Sequence, residues 1–156
     1  QILGAPYDCL LDAIDGAANK SRLIAGCCER RIPIVTSGGA GGRRDPTRVR
    51  IDDLAFSSHD RLLAQVRAIL RQDYAFPRGH APFGVPCVHS NEPPMPAREH
   101  RSASPPHGET GTPPGDCDPA KPVFGTAAFV TGTFGFALAS LAVKRIVEFE
   151  PACFMQ

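Results

Sequence analysis

Near the start of the chain, YDCLLDAID, residues 7–15, is a short and mostly apolar run closed by acids. A strand buried on both faces of a parallel sheet has this pattern. GAANKSRLIAGCCERR follows, with Leu23, Ile24, Cys27 and Cys28 at helical spacing. IPIVTS, residues 32–37, then reads as a second strand rich in β-branched residues. Strand, helix and strand with short links predict a βαβ unit with a right-handed crossover. Ligands of open α/β sheets sit at the carboxyl ends of the strands. Asp12, Asp15 and the glycine run TSGGAGGRR, residues 36–44, all fall at that edge.

TRVRIDDLA alternates Val49 and Ile51 with Arg48, Arg50 and Asp52, which predicts a half-exposed, antiparallel strand. SSHDRLLAQVRAILRQDY is amphipathic, with Leu62, Leu63, Val66, Ile69 and Leu70 as its apolar stripe and Ser58 as its expected N-cap. FGVPCVHS reads as a further strand. Residues 91–122 are rich in Pro, Gly, Ser and charge without periodicity, and are expected to form a long mobile loop. The organisation expected is an α/β body over 1–92, a loop over 93–122 and a helix of the same domain over 123–149.

VFGTAAFVTGTFGFALASLAV, residues 123–143, carries no charge. Two readings fit it. By length and apolarity it can cross a bilayer. A helix that is apolar all round is also what a buried core or a dimer interface requires. Three threonines, a serine, three glycines and the charged continuation KRIVEFE favour burial, with glycines allowing another helix to approach closely.

Composition narrows the picture. A length of 156 residues and 42% hydrophobic content suit one ordinary domain. A formal charge of +1 gives no global attraction to nucleic acid. Arg43, Arg44, Arg48 and Arg50 form a local basic strip, to be read as phosphate contacts or as a solvated strand face. The six cysteines show neither disulfide-framework spacing nor a CxxC pair. With no signal peptide in view, this points to a reducing, cytoplasmic setting, the alternative being membrane association through 123–143. The chain starts at Gln1 and runs directly into a strand, so it is expected to be the later part of a longer protein.

The glycine run is not a phosphate loop of the Walker type, because it lacks GK[ST] and no helix follows at once. Its glycines suit tight backbone approach or positive φ.

TSGGAGGRRDPTRVRIDDLA, FGVPCVHSNE, the DC at 116–117 and FGTAAFVTGTFGF occur in an order that resembles the ThiF/MoeB/HesA superfamily of E1-like ATP-dependent activating enzymes. The likeness is strongest to the branch that dehydrates N6-threonylcarbamoyladenosine at tRNA position 37 to its cyclic form. The resemblance implies a Rossmann-like α/β fold, here partial, with its N-terminal nucleotide-binding half absent, a mixed sheet and a buried apolar C-terminal helix. It implies MgATP, adenylation of a carboxylate, a homodimer, a tRNA partner and a possible cysteine desulfurase or sulfur-acceptor system, with no stable membrane partner.

By residue, the resemblance makes Asp15 the acid that holds magnesium on ATP; without it, Asp15 reads as a helix cap. Asp12, Lys20, Gly38 and Gly39 fall with it on the nucleotide side, although Asp12 also suits a turn-supporting role and Lys20 a solvated one. Gly16 departs from the Asn or Ser usual after the acid. Cys117, in GDCDP, falls where the family has a loop cysteine capable of covalent chemistry, although Asp116 and Asp118 would raise its pKa. The family's glycine loop and its catalytic arginine and lysine lie upstream of Gln1, so the chain alone is expected to be inactive. An adenylyltransferase of a ubiquitin-like sulfur carrier is the alternative within the fold; the missing CxxC pairs disfavour it. A non-catalytic dimerising or membrane-anchored piece is the alternative outside it.

Overall fold

A computed structural model of the chain describes residues 2–4, 7–95 and 125–148. Strands β1 (Leu10–Asp12), β2 (Ile34–Ser37), β3 (Val49–Asp53) and β4 (Pro86–Ser90) form one mixed sheet in the order β1-β2-β4-β3. β1 pairs with β2 and β2 with β4 in parallel, while β3 runs antiparallel along β4. The two early strands, the helix α1 (Ala17–Glu29) between them and the antiparallel β3 are as the pattern predicts.

Two apolar layers flank the sheet. On one face Ile34 and Cys87 pack with Ile24 and Cys27 of α1 and with Leu63, Val66 and Leu70 of α2 (Arg61–Asp73). On the other face Val35 and Val88 meet Val130, Phe134 and Leu138 of α3 (Ala128–Glu148). Neighbouring strand residues thus point into opposite layers, which is why β2 is apolar or small throughout and buried at every position. Burying each of Leu63, Leu70 and Val66 is worth about 1.5–3 kcal/mol relative to exposure.

Three local expectations change. The N-cap of α2 is Asp60, not Ser58: its carboxylate accepts the Leu63 N–H at 2.9 Å. His59, at φ 54°, turns the chain immediately before the cap. Ile51 is exposed rather than inward-facing. The third correction concerns α3, which is buried along one line only, at i, i+4 and i+8. Phe129, Phe136, Val143, Ile146 and Val147 are exposed, Phe136 to 81%. The helix is long and apolar enough to cross a membrane by composition, and one stripe of it seats on the sheet.

Candidate functional site

A cleft of about 680 Å³ opens at the carboxyl ends of β1 and β2. Ala13 and Asp15 form one wall; Ser37 through Gly41 form the next; His59, Asp60 and Arg61 at the start of α2 and Thr131, Phe134 and Leu138 of α3 complete it. The topology builds this place, because the chain leaves β1 and β2 at the same sheet edge.

Asp15 is exposed in the cleft, and no hydrogen bond or ion pair to it occurs among the described residues. Its carboxylate therefore keeps both oxygens for a ligand. Gly16, the N-cap of α1, offers no side-chain bond, so Asp15 is a free acid at the helix mouth rather than the helix cap.

The glycine wall is held from behind. The Gly38 N–H donates to the Val88 carbonyl at 2.9 Å, and the Gly39 N–H to Asp60 Oδ2 at 2.9 Å. Asp60, 7% exposed, thereby serves the wall and the cap of α2 at once. A Cβ on Gly38 would fall on the Asp60 carboxylate and come within 2.8 Å of Leu63 Cδ1. Gly38→Ala is thus expected to destabilise the fold by about 2–4 kcal/mol, combining overpacking with a weakened cap. Gly39→Ala, which meets nothing within 4 Å, is expected to be the milder change in urea unfolding. Equal midpoints for the two variants would refute this account.

Arg43 is a correction to the basic strip. Its side chain is 3% exposed and turns inward. It donates to the carbonyls of Gly39 and His59 and lies 3.6 Å from Asp60 Oδ2, tying the glycine wall to α2. Burial pulls its guanidinium below the ordinary arginine value, with Asp60 and Glu92 opposing. It is not available to tRNA phosphate. Arg48 is engaged too, donating to the Asn91 side chain and carbonyl at 3.0 Å each. Arg44 and Arg50 are exposed and remain on the surface.

Asp12 and Lys20 are a second correction. Lys20 Nζ lies 2.7 Å from Asp12 Oδ2, with both side chains fully buried, so neither reaches a nucleotide in the cleft. The turn-supporting role expected of Asp12 is present: its Oδ1 accepts the Ile14 N–H at 3.0 Å. Gly38 and Gly39 line the cleft as expected, but their N–H groups already have protein acceptors. Cys117 lies outside the described residues. Cys27 and Cys28 are buried thiols; burial, with Asp12 adding to it, pushes the Cys27 thiol up to about 11. Burial also raises Cys87 well above the ordinary thiol range. Among the described residues no group of His, Cys, Asp and Glu has the arrangement of a metal cage.

Sequence reading missed Asp60, Thr36 and Ser37. Asp60 carried a usable signal, as an N-cap residue directly before the apolar stripe of α2. Thr36 and Ser37 carried none beyond their place beside the glycines.

No protein-family model matches the chain. Over 150 residues it is 35% identical to the tRNA threonylcarbamoyladenosine dehydratase of Haemophilus influenzae, covering 94% of this chain and 51% of that protein. The Escherichia coli dehydratase is 36% identical over 149 residues, covering 94% and 54%. The crystal structure of the E. coli enzyme, TcdA, in complex with ATP superposes with a TM-score of 0.73 at 35% identity, covering 96% of this chain and 51% of that one. The chain spans about half the length of the curated relatives it matches.

Proposed function

Because the chain is, over nearly its whole length, a relative of the tRNA threonylcarbamoyladenosine dehydratases, we propose that it is part of an ATP-dependent enzyme acting on threonylcarbamoyladenosine in tRNA, in the cytoplasm. The observation that carries this reading is the open Asp15 carboxylate facing the glycine wall across one cleft, in a chain that superposes on an ATP-bound dehydratase.

A carboxylate is a poor electrophile, and adenylation repairs that. A carboxylate oxygen of the threonyl group attacks the α-phosphorus of ATP and pyrophosphate departs. A nucleophile within the same modified side chain then closes on the acyl carbon, gives up its proton and releases AMP. The nucleoside loses the elements of one water and becomes cyclic. Binding both partners in one cleft makes the first step effectively intramolecular.

Asp15 fits a magnesium ion on the triphosphate: just beyond the carboxyl end of β1 it presents a hard carboxylate with no partner among the described residues. When bound, the ion offsets phosphate charge and orients the triphosphate. This chain's own part is to fix Asp15, the glycine wall and the α3 wall relative to one another. Arg44 and Arg50 are the surface arginines proposed to meet tRNA phosphate. The exposed apolar side of α3 supports a second copy of the protein as the homodimer partner.

The test uses the intact gene product with ATP, magnesium and tRNA carrying threonylcarbamoyladenosine. The expected result is a nucleoside lighter by one water, dependent on ATP. An unchanged nucleoside mass with active, folded protein would overturn the reading.

A further inference from the structure

Beneath the cleft lies a buried polar network that the reaction scheme does not itself use. Asp12 Oδ2 accepts from Lys20 Nζ and from Thr36 Oγ1, each at 2.7 Å. Asp12 Oδ1 takes the Ile14 N–H, and Ser37 Oγ donates to the Asp12 carbonyl at 3.5 Å. Asp12 is 1% exposed, and Lys20 and Thr36 are fully buried. Burying two charges carries a desolvation penalty that a hydrophobic pair would avoid, so an ion pair is a poor choice for stability alone.

Its position suggests what it does. Asp12 ends β1, and the turn that follows presents Asp15. Thr36 and Ser37 end β2, and the next residue, Gly38, begins the glycine wall. Lys20 reaches back from α1, whose N-terminus has no side-chain cap. One carboxylate thus joins the ends of two strands and the first turns of a helix directly below the two walls that face each other.

We propose that Asp12, Lys20 and Thr36 form a positioning triad that fixes the Asp15 carboxylate relative to the glycine wall, where it would hold a metal-bound nucleoside triphosphate. The inference rests on the nucleotide reading given above. None of the three touches the ligand; each acts through Asp15 and Gly38. Misplacing Asp15 weakens what it holds, the metal-bound triphosphate, and leaves untouched a nucleotide that binds without metal.

Calorimetry on the intact gene product tests this with two titrants, ATP with magnesium and AMP with a chelator. Thr36→Val keeps shape and strand preference while removing one of the donors to Asp12. Its Kd for magnesium-ATP is expected to rise about tenfold, the scale on which residues supporting a metal ligand act. Its Kd for AMP is expected to stay within about twofold of wild type, and Thr36→Ser, which retains the hydroxyl, to restore magnesium-ATP binding. Lys20→Met, where it folds, is expected to show the same split. An unchanged preference for magnesium-ATP over AMP in Thr36→Val overturns the proposal. A parallel loss of both affinities also overturns it, because that is the mark of a general fold defect. Wild-type protein that binds neither nucleotide overturns the nucleotide reading and the triad with it.

Discussion

Lys20→Met is expected to destabilise the protein by about 3–5 kcal/mol, the usual cost of removing one partner of a buried ion pair. The ammonium is fully buried and 2.7 Å from Asp12 Oδ2. Methionine fills much the same volume and suits the helix, so lost packing and helix propensity are minor. What remains is a carboxylate out of water with Thr36 Oγ1 and the Ile14 N–H as donors and no counter-ion. Asp12→Asn with Lys20→Met removes both charges and is expected to recover a large part of the loss. Urea unfolding of the intact gene product measures both, and the double variant separates charge from packing. A single-variant loss under about 1 kcal/mol, the range of solvated pairs, would show that the pair is not sealed from water.

The basic strip shows what sequence could and could not convey. Arg43 and Arg44 are neighbours of the same type in a run that reads as solvent-facing. The structure sends the first inward and the second outward. The difference is made by carbonyls of Gly39 and His59 and by the Asp60 carboxylate, the latter two some sixteen residues further along. No local pattern carries that information. Lys20 failed for the same reason: a lysine on a helix is read as solvated, and its counter-charge sits eight residues away on a strand end. Where the physics is local, the pattern sufficed. A β-branched run placed β2, periodicity placed α2 and the strand–helix–strand order implied the parallel pairing of β1 with β2, and the position of Asp15 and the glycines at one sheet edge followed from chain direction alone.

The last helix marks a different limit. Apolarity all round shows that α3 avoids water, but not what covers it. The chain itself covers one stripe, Val130, Phe134 and Leu138. Among the described residues nothing lies within 4 Å of where a side chain on Gly132 or Gly135 would start, so the close approach their small size permits is not made by them.

Asp15→Ala is expected to differ from Lys20→Met in leaving the fold intact: activity collapses while stability holds. Asp15 is exposed and has no partner among the described residues, so its removal is expected to move stability by no more than about 0.5 kcal/mol. Its oxygens have no partner among the described residues and line the same cleft as the glycine run. Losing them takes away charge stabilisation on a triphosphate, worth several kcal/mol. A loss of about 3–4 kcal/mol corresponds to a fall of roughly 10²–10³-fold in kcat/KM for ATP-dependent dehydration. Asp15→Asn keeps the size and one accepting oxygen but not the charge, and is expected to stay close to alanine. Turnover of tRNA-borne threonylcarbamoyladenosine and urea midpoints, measured on the same preparations, give both halves of the comparison. An Asp15→Ala variant with wild-type turnover would remove the ligand role. Activity lost in step with stability would make Asp15 a structural residue, against the exposure of its side chain.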